Sequence, residues 1–164
     1  MVLTGHAQSI ESPNRQLNLT FHVDNGIPYY SLLYKGKIII EKSRLGFEMK
    51  NIPSMVDNFS ILKSSTSAFD ETWEPVWGEV KKIRNQYNEL EITLEQGSPK
   101  RTVIIRFRLY DDGLGFRYEF PNQKNLSYFT IAEEITQFNL GKDYTAFWIR
   151  GDYDTNEYNY TTSL

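Results

Sequence analysis

Strict alternation of apolar and polar side chains is the feature of this sequence that most constrains its fold. The clearest run is "TVIIRFRL", in which Arg106 and Arg108 alternate with the apolar set Val103, Ile105, Phe107 and Leu109. A period of two places every second side chain on one face of an extended strand. The segment "RQLNLTFHV" repeats the pattern with Leu17, Leu19, Phe21 and Val23. These runs predict antiparallel strands that bury one face and expose the other to water.

Turn signals divide the chain into short strands. Lys35-Gly36 separates "YYSLLY" from "KIIIE", which predicts a hairpin, and "RLGFEMK" is the next strand. Between residues 89 and 120, a Gly-Ser-Pro loop and an Asp-Asp-Gly turn separate three strands, and "SYFTIAEE" and "YTAFWI" continue the theme. Helical spacing is convincing nowhere, because its one candidate, residues 79–87, also alternates as a strand. The fold class is therefore all-β, a sandwich of stacked antiparallel sheets.

Composition excludes several classes of function. The net charge is −3, so the chain has no basic footprint, and nucleic acid is not an expected partner. Cysteine is absent, which excludes disulfides, thiolate nucleophiles and cysteine-type zinc sites, and two histidines are too few for a His-rich metal site. No run approaches the roughly 20 apolar residues that span a bilayer, so no membrane span is predicted.

The start of the chain, "MVLTGHAQS", leaves two interpretations open. The small residues from Gly5 to Ala7 resemble a cleavage site, so residues 1–9 are either the remnant of a secretory signal or a disordered tail. The first interpretation predicts a periplasmic or secreted protein. Residues 10–164 carry no linker or repeat and are expected to form one domain.

The final stretch, "RGDYDTNEYNYTTSL", partly copies a calcium-binding loop. Asp152, Asp154 and Asn156 alternate as the first oxygen ligands of such a loop do. The copy fails at Glu157, because the sharp turn of the loop needs glycine there, and no glutamate occupies the last ligand position. An exposed acidic turn is the favoured interpretation, and the alternative is that the turn lends one or two ligands to a site completed elsewhere.

The segment "FDETWEPVWGEVKKIRNQYNE" combines tryptophans with carboxylates. Trp faces can stack on sugar rings, and paired carboxylates can act as acid and base on glycosidic bonds. The candidate stacking residues are Trp73, Trp77 and Trp148. Tryptophan in a sandwich core and glutamate as surface charge are the favoured interpretations. Arg117 and Glu119 share a polar face and predict a cross-strand ion pair.

Four segments resemble the amino-terminal domain of family-97 glycoside hydrolases, the α-glucosidase and α-galactosidase group of Bacteroides-type bacteria. They are "SPNRQLNLTFHVDNGIPYYSLLYKGKIII", "FDETWEPVWGEVKKIRNQYNEL", "VIIRFRLYDDGLGFRYEFP" and "AFWIRGDYDTNEYNYT". The similarity runs from about Ser12 to Tyr160. The order and separation of "TWEPVWGE", "DDGLGFRYEF" and "GDYDTNEY" make it specific.

The resemblance implies a galactose-mutarotase-like β-super-sandwich that packs against a catalytic (β/α)8 barrel. In that family the barrel carries the catalytic acid and its base or nucleophile. The family also holds calcium beside the oligosaccharide substrate, with barrel carboxylates and one sandwich glutamate, which matches Glu157. The chain resembles roughly the first two thirds of the domain, so strand edges are expected to lie open unless a homo-oligomer or another partner covers them.

Three functions are therefore compared. The leading hypothesis is the non-catalytic sandwich portion of a calcium-dependent α-glycosidase, inactive by itself. The main alternative is a stand-alone carbohydrate-binding module that stacks sugars on Trp73, Trp77 or Trp148. A mutarotase-like epimerase is the weakest of the three, because it rests on fold alone and His22 is the single histidine of the domain.

Overall fold

The computed structural model describes residues 7–163, and its regular structure is almost entirely β. A short 3₁₀ helix spans Lys124–Leu126. The strands are β1 (Gln8–Glu11), β2 (Leu17–Asp24), β3 (Ile27–Tyr34), β4 (Lys37–Arg44), β5 (Phe47–Met49), β6 (Phe59–Trp73), β7 (Ile83–Gln96), β8 (Arg101–Leu109), β9 (Leu114–Glu119), β10 (Ile131–Glu134), β11 (Ala146–Trp148) and β12 (Thr161–Ser163). The predicted all-β class is confirmed.

Two four-stranded antiparallel sheets make up most of the molecule. Their orders are β1-β2-β3-β4 and β6-β7-β8-β9, so each sheet follows the order of the chain. Two small ribbons pair β5 with β10 and β11 with β12. The predicted hairpin at Lys35-Gly36 is present, because Tyr34 pairs with Lys37 and both turn residues have positive φ. A two-residue turn of this kind matches the twist of the strands it joins.

The core lies between the inward faces of the two large sheets. Leu19 and Phe21 of β2 and Ile105 and Phe107 of β8 are almost completely buried, and the rings of Phe21 and Phe107 lie 6.0 Å apart. The inward sets predicted from alternation on β2 and β8 are buried, apart from Val23, which is half-buried. Alternation therefore identified the core face of both strands.

The outward face of the second sheet carries a network of ion pairs. Arg106 contacts Glu89 at 2.5 Å, Glu91 at 2.6 Å and Glu119 at 2.8 Å. The predicted Arg117–Glu119 pair forms at 2.7 Å, but both residues lie on β9, so its cross-strand character was wrong. The cross-strand partner of Glu119 is Arg106 on β8, because a side chain of arginine length reaches diagonally across the ladder.

Strand assignments at two boundaries differ from expectation. The sequence predicts a signal remnant or disordered tail over residues 1–9, but Gln8 and Ser9 belong to β1 and pair with Phe21 and Thr20. Residues 1–6, which include most of the proposed cleavage site, lie outside the described part of the chain. The ambiguous segment 79–87 becomes strand from Ile83, where β7 starts. Within residues 7–163, no helix is long and apolar enough to cross a lipid bilayer.

Candidate functional site

A closed loop at the end of the described chain holds the acidic residues singled out in the sequence. β11 pairs with β12 from Ala146–Ser163 to Trp148–Thr161, so the two strands bring the ends of residues 149–160 together. The Trp148 indole Nε1–H also donates to Ser163 Oγ at 3.2 Å. The short ribbon therefore presents the intervening residues as one loop.

Asp152 organises the interior of this loop. The backbone N–H of Asp154 donates to Asp152 Oδ1 at 3.0 Å, and the Tyr158 hydroxyl donates to Asp152 Oδ2 at 2.5 Å. The hydrogen bond from Tyr158 lowers the pKa of Asp152, and the same bond raises the pKa of Tyr158. Both oxygens of Asp152 therefore accept hydrogen bonds from within the loop.

Glu157 stands apart from this internal network. Its backbone N–H donates to Thr155 Oγ1 at 3.0 Å, which shapes the turn, while its exposed carboxylate makes no hydrogen bond or ion pair with any residue in 7–163. A carboxylate that faces solvent is a suitable oxygen donor for a hard cation such as calcium. In the described part of the chain, no three His, Cys, Asp or Glu side chains converge on a possible metal position. Glu157 therefore fits calcium as a single donor.

A cavity of about 300 Å³ lies beside the loop. Its lining consists of Arg150, Asp152, Tyr158, Asn159 and Thr161. Arg150 adds a cation to a region otherwise rich in carboxylates and hydroxyls. Sequence inspection missed the contribution of Arg150 and Tyr158, because no local pattern shows that residues from both ends of the loop line one cavity.

The three candidate stacking tryptophans are exposed. The exposed fractions are 46% for Trp73, 88% for Trp77 and 48% for Trp148. The favoured interpretation of tryptophan as core filling was therefore wrong for the described structure. Trp73 ends β6 and Trp77 lies in the loop that joins β6 to β7, whereas Trp148 lies on β11.

Two carboxylates of the tryptophan-rich segment, Asp70 and Glu89, are engaged in ion pairs. Asp70 accepts two hydrogen bonds from Arg84, at 2.9 and 2.6 Å, and the bonds from Arg84 lower the pKa of Asp70. Burial acts to raise the pKa of Glu89, but hydrogen bonds from Arg108 and Arg106 outweigh it, and the net shift is downward. A general acid in glycoside hydrolysis needs a raised pKa. Both groups are shifted in the opposite direction.

An aromatic cluster next to these carboxylates was not foreseen. Phe69 stacks on Tyr87 with ring centroids 5.2 Å apart, and Tyr110 lies 5.3 Å from Tyr87. The Arg108 guanidinium sits 4.4 Å from the centre of the Tyr87 ring. Alternation on β6 and β7 places Phe69 and Tyr87 on one face, which is the signal that would have revealed the cluster.

Comparison with known proteins identifies the family. The model of the family described as glycosyl-hydrolase 97 N-terminal matches residues 10–164. This chain belongs to glycoside hydrolase family 97 as its N-terminal domain. The resemblance drawn from the four sequence segments is confirmed, and with it the antiparallel β-sandwich.

Solved structures of two enzymes, one of them described as a family-97 enzyme, share the fold of this chain. An enzyme from Pseudoalteromonas sp. strain K8, solved with panose and with acarbose, is 32% identical with a TM-score of 0.88 over 95% of this chain. A β-arabinopyranosidase is 27% identical with a TM-score of 0.80 over 94% of this chain. The family-97 domain described here spans 24% of the first enzyme and 26% of the second.

Proposed function

We propose that this domain is the non-catalytic β-sandwich portion of a calcium-dependent α-glycosidase, of α-glucosidase or α-galactosidase type. It packs against a catalytic (β/α)8 barrel and contributes Glu157 to a calcium ion beside the oligosaccharide substrate. The observation that carries the proposal is the exposed carboxylate of Glu157, which, like that of Asp154 and unlike that of Asp152, makes no hydrogen bond within residues 7–163. The match of Glu157 to the sandwich glutamate of the family selects it over Asp154. Family membership and the fraction of the related enzymes that the chain spans support it.

The chemistry of calcium explains why the domain would need a second polypeptide region. Calcium takes six to eight oxygen ligands, and Glu157 supplies at most two of them. A bound calcium would supply positive charge that orients and polarises the substrate. Glu157 holds the ion from the sandwich side, and the loop between β11 and β12 keeps this carboxylate at the domain surface. The remaining ligands belong to the barrel in this proposal.

The substrate class is proposed from the chemistry of the relatives. Panose is an oligosaccharide of α-linked glucose, which supports an α-glucoside for this chain at the level of class. The similar fold of a β-arabinopyranosidase supports a scaffold that serves different sugars. Action on such oligosaccharides is consistent with a periplasmic or secreted location, which remains part of the proposal.

The isolated domain provides the first test. Purified residues 1–164 are incubated with aryl α-glucosides and aryl α-galactosides in the presence and absence of calcium. We expect no turnover above the buffer rate and no saturable calcium binding in the micromolar range by calorimetry. Robust hydrolysis by the isolated domain would overturn the proposal.

The role of Glu157 requires a complete enzyme. A chimaera in which residues 10–163 replace the matching domain of the Pseudoalteromonas enzyme provides it. We expect Glu157→Gln to weaken calcium binding at least roughly tenfold, by analogy with the loss of a metal-site partner. The readouts are calorimetry and the calcium-dependent rise in melting temperature. Glu133→Gln, at an exposed position of β10, is the matched control and should bind calcium as the parent does.

A stand-alone carbohydrate-binding module remains the second candidate, and the exposure of all three tryptophans favours it. Titration with maltooligosaccharides, followed by tryptophan fluorescence, separates the two functions. Saturable quenching that Trp77→Ala abolishes would support the binding module. If the leading proposal is correct, we expect no saturable change in the tryptophan fluorescence of the isolated domain. In that proposal the barrel of the full enzyme holds most of the substrate.

A further inference from the structure

A cavity of about 190 Å³ opens on the outward face of the second sheet, where β8 and β9 pair. Its lining consists of Arg106, Arg108, Tyr110, Gly115, Phe116 and Arg117. This lining contains three arginines and no carboxylate. A cavity walled by guanidinium groups favours an oxyanion, because each group carries a permanent positive charge and several N–H donors.

The absence of a side chain at Gly115 opens this cavity. Gly115 lies directly opposite Arg108 in the ladder of β8 and β9, and Arg117 is the next residue of β9 on the same face. A Cβ added at Gly115 would meet no atom within 4 Å, and the φ angle of Gly115 is not positive. Neither the backbone nor the packing therefore requires glycine here, whereas a larger side chain would occupy the space between the two arginines.

Arg108 and Arg117 are held in place by glutamates that do not line the cavity. Arg108 Nε donates to Glu89 at 2.7 Å, and Arg117 Nε donates to Glu119 at 2.7 Å. The Arg108 guanidinium also lies 4.4 Å from the centre of the Tyr87 ring, which restricts its orientation. Because a guanidinium has five N–H donors in a planar fork, both groups keep further donors for a ligand.

The direct pairing of two arginines also favours an anion. Arg106 and Arg117 are cross-strand partners, and like charges directly opposite each other destabilise a sheet. Glu119 contacts the two guanidinium groups at 2.8 and 2.7 Å and offsets part of this repulsion. An anion in the adjacent cavity would offset more of it.

We propose that this cavity binds the carboxylate of a small acidic ligand about the size of one uronic acid. Arg108 and Arg117 bind the carboxylate oxygens above Gly115, and Tyr110 contacts the rest of the ligand. Guanidinium groups suit a planar carboxylate, because two parallel N–H donors meet its two oxygens. At about 190 Å³ the cavity is smaller than the roughly 300 Å³ at which sites for drug-sized ligands begin, so it fits a single small unit.

A carboxylate from another region of polypeptide is the competing occupant of the cavity. The chain spans 24% of the Pseudoalteromonas enzyme, so in a complete enzyme an aspartate or glutamate from elsewhere has the same chemical group to offer. The test therefore compares residues 1–164 with the chimaera, in which the rest of the related enzyme is present. The two proteins separate a free ligand from a side chain.

Glucuronate is the probe, and its binding is measured by calorimetry and saturation-transfer NMR. We expect residues 1–164 to bind glucuronate at least roughly tenfold more tightly than glucose, because hydrogen bonds to a charged group are stronger. In the chimaera, Gly115→Val and Arg117→Gln should each weaken glucuronate binding at least roughly tenfold. Gly113→Ala is the matched control, because Gly113 also has open space around it but does not line the cavity.

Three results would overturn the proposal. They are parent-like glucuronate binding by Gly115→Val, binding to residues 1–164 but not to the chimaera, and tighter binding of inorganic phosphate than of glucuronate. The second result would assign the carboxylate to the polypeptide. Circular dichroism checks folding, and Arg117→Gln, at an exposed side chain, decides the outcome if Gly115→Val does not fold. None of these measurements depends on calcium or on hydrolysis, so they are independent of the function proposed above.

Discussion

Arg106 is the residue on which the outward face of the second sheet depends. Its guanidinium joins Glu89, Glu91 and Glu119, which come from the strands on both sides of β8. The hydrogen bond to Glu119 is the main reason that the pKa of Arg106 is raised. Because Arg106 is one-fifth exposed, its pairs are partly withheld from water and contribute more than surface pairs do. Because these pairs need ionised glutamates, the free energy of unfolding is expected to depend on pH.

Glu119 provides the pH prediction. The hydrogen bond from Arg106, followed by that from Arg117, lowers the pKa of Glu119 from 4.5 to about 2. A carboxyl group with a lowered folded pKa stabilises the fold fully above pH 4.5 and loses this contribution as the pH falls toward 2. We expect Glu119→Gln to cost about 1 kcal/mol at neutral pH. In urea titrations the difference from wild type should shrink between pH 4.5 and 2. A difference that stays constant would contradict the assignment.

Leu94 provides a test of the core. Its side chain is fully buried between the sheets, so Leu94→Ala removes apolar contacts and leaves a cavity. We expect a loss of roughly 2–5 kcal/mol in the free energy of unfolding. Leu140→Ala is the matched control, because Leu140 is 54% exposed, and it should change stability by no more than about 0.5 kcal/mol. Similar losses in both variants would place the core elsewhere.

At the scale of elements, the first sheet is defined by two tight hairpins. Asn25-Gly26 joins β2 to β3, and Lys35-Gly36 joins β3 to β4. Both glycines have positive φ, +79° and +76°, which disfavours any side chain. Their surroundings differ, since a Cβ on Gly26 would lie 2.9 Å from the backbone nitrogen of Asn58, whereas a Cβ on Gly36 would meet nothing within 4 Å. The first turn is packed against the chain, and the second is open.

The two turns predict unequal effects of the same substitution. Gly36→Ala should cost roughly 1–2 kcal/mol, the penalty of a left-handed backbone for alanine. Gly26→Ala should cost about 1–3 kcal/mol more, because backbone atoms near Asn58 must also move. Thermal unfolding of the two variants side by side measures the difference. Equal losses would show that the contact with Asn58 is unimportant.

At the scale of the whole molecule, stability is concentrated in the two large sheets. The inward faces of β2, β7 and β8 are buried, whereas all residues of β10, β11 and β12 are exposed. Elements with few buried contacts open locally at low free-energy cost. The loop that carries Glu157 is therefore attached to the least buried part of the described structure. In our proposal, the loop between β11 and β12 becomes ordered when it packs against the barrel domain.

Hydrogen exchange tests this division. We expect backbone amides of β7 and β8 to exchange only through global unfolding, and amides of β11 and β12 to exchange by local opening several orders of magnitude faster. Low concentrations of urea should accelerate exchange in β7 and β8 while leaving β11 and β12 nearly unchanged. Equal protection in all four strands would contradict the division. Mass spectrometry of peptides from each region provides the measurement.

Local patterns were sufficient to predict much of the fold. Alternation identified β2 and β8 together with their buried faces, and Lys35-Gly36 identified a hairpin, because these features depend on neighbours in the sequence. The pairing of β5 with β10 was not predictable in this way. Residues such as Met49 and Ile131 meet across a long stretch of chain, and no local signal specifies their register.

In the candidate site, too, the sequence predicted some features and the tertiary structure determined others. By itself, the sequence determined the strand periodicity, the exclusion of cysteine chemistry and the acidic character of residues 152–157. The tertiary structure decided that Asp152 is used internally, that Glu157 remains free, and that the tryptophans are exposed. The physical reason is that a period of two assigns a side chain to a face, whereas burial and hydrogen bonding depend on what that face meets. Only the packed sheets and the closed β11–β12 loop supply those neighbours.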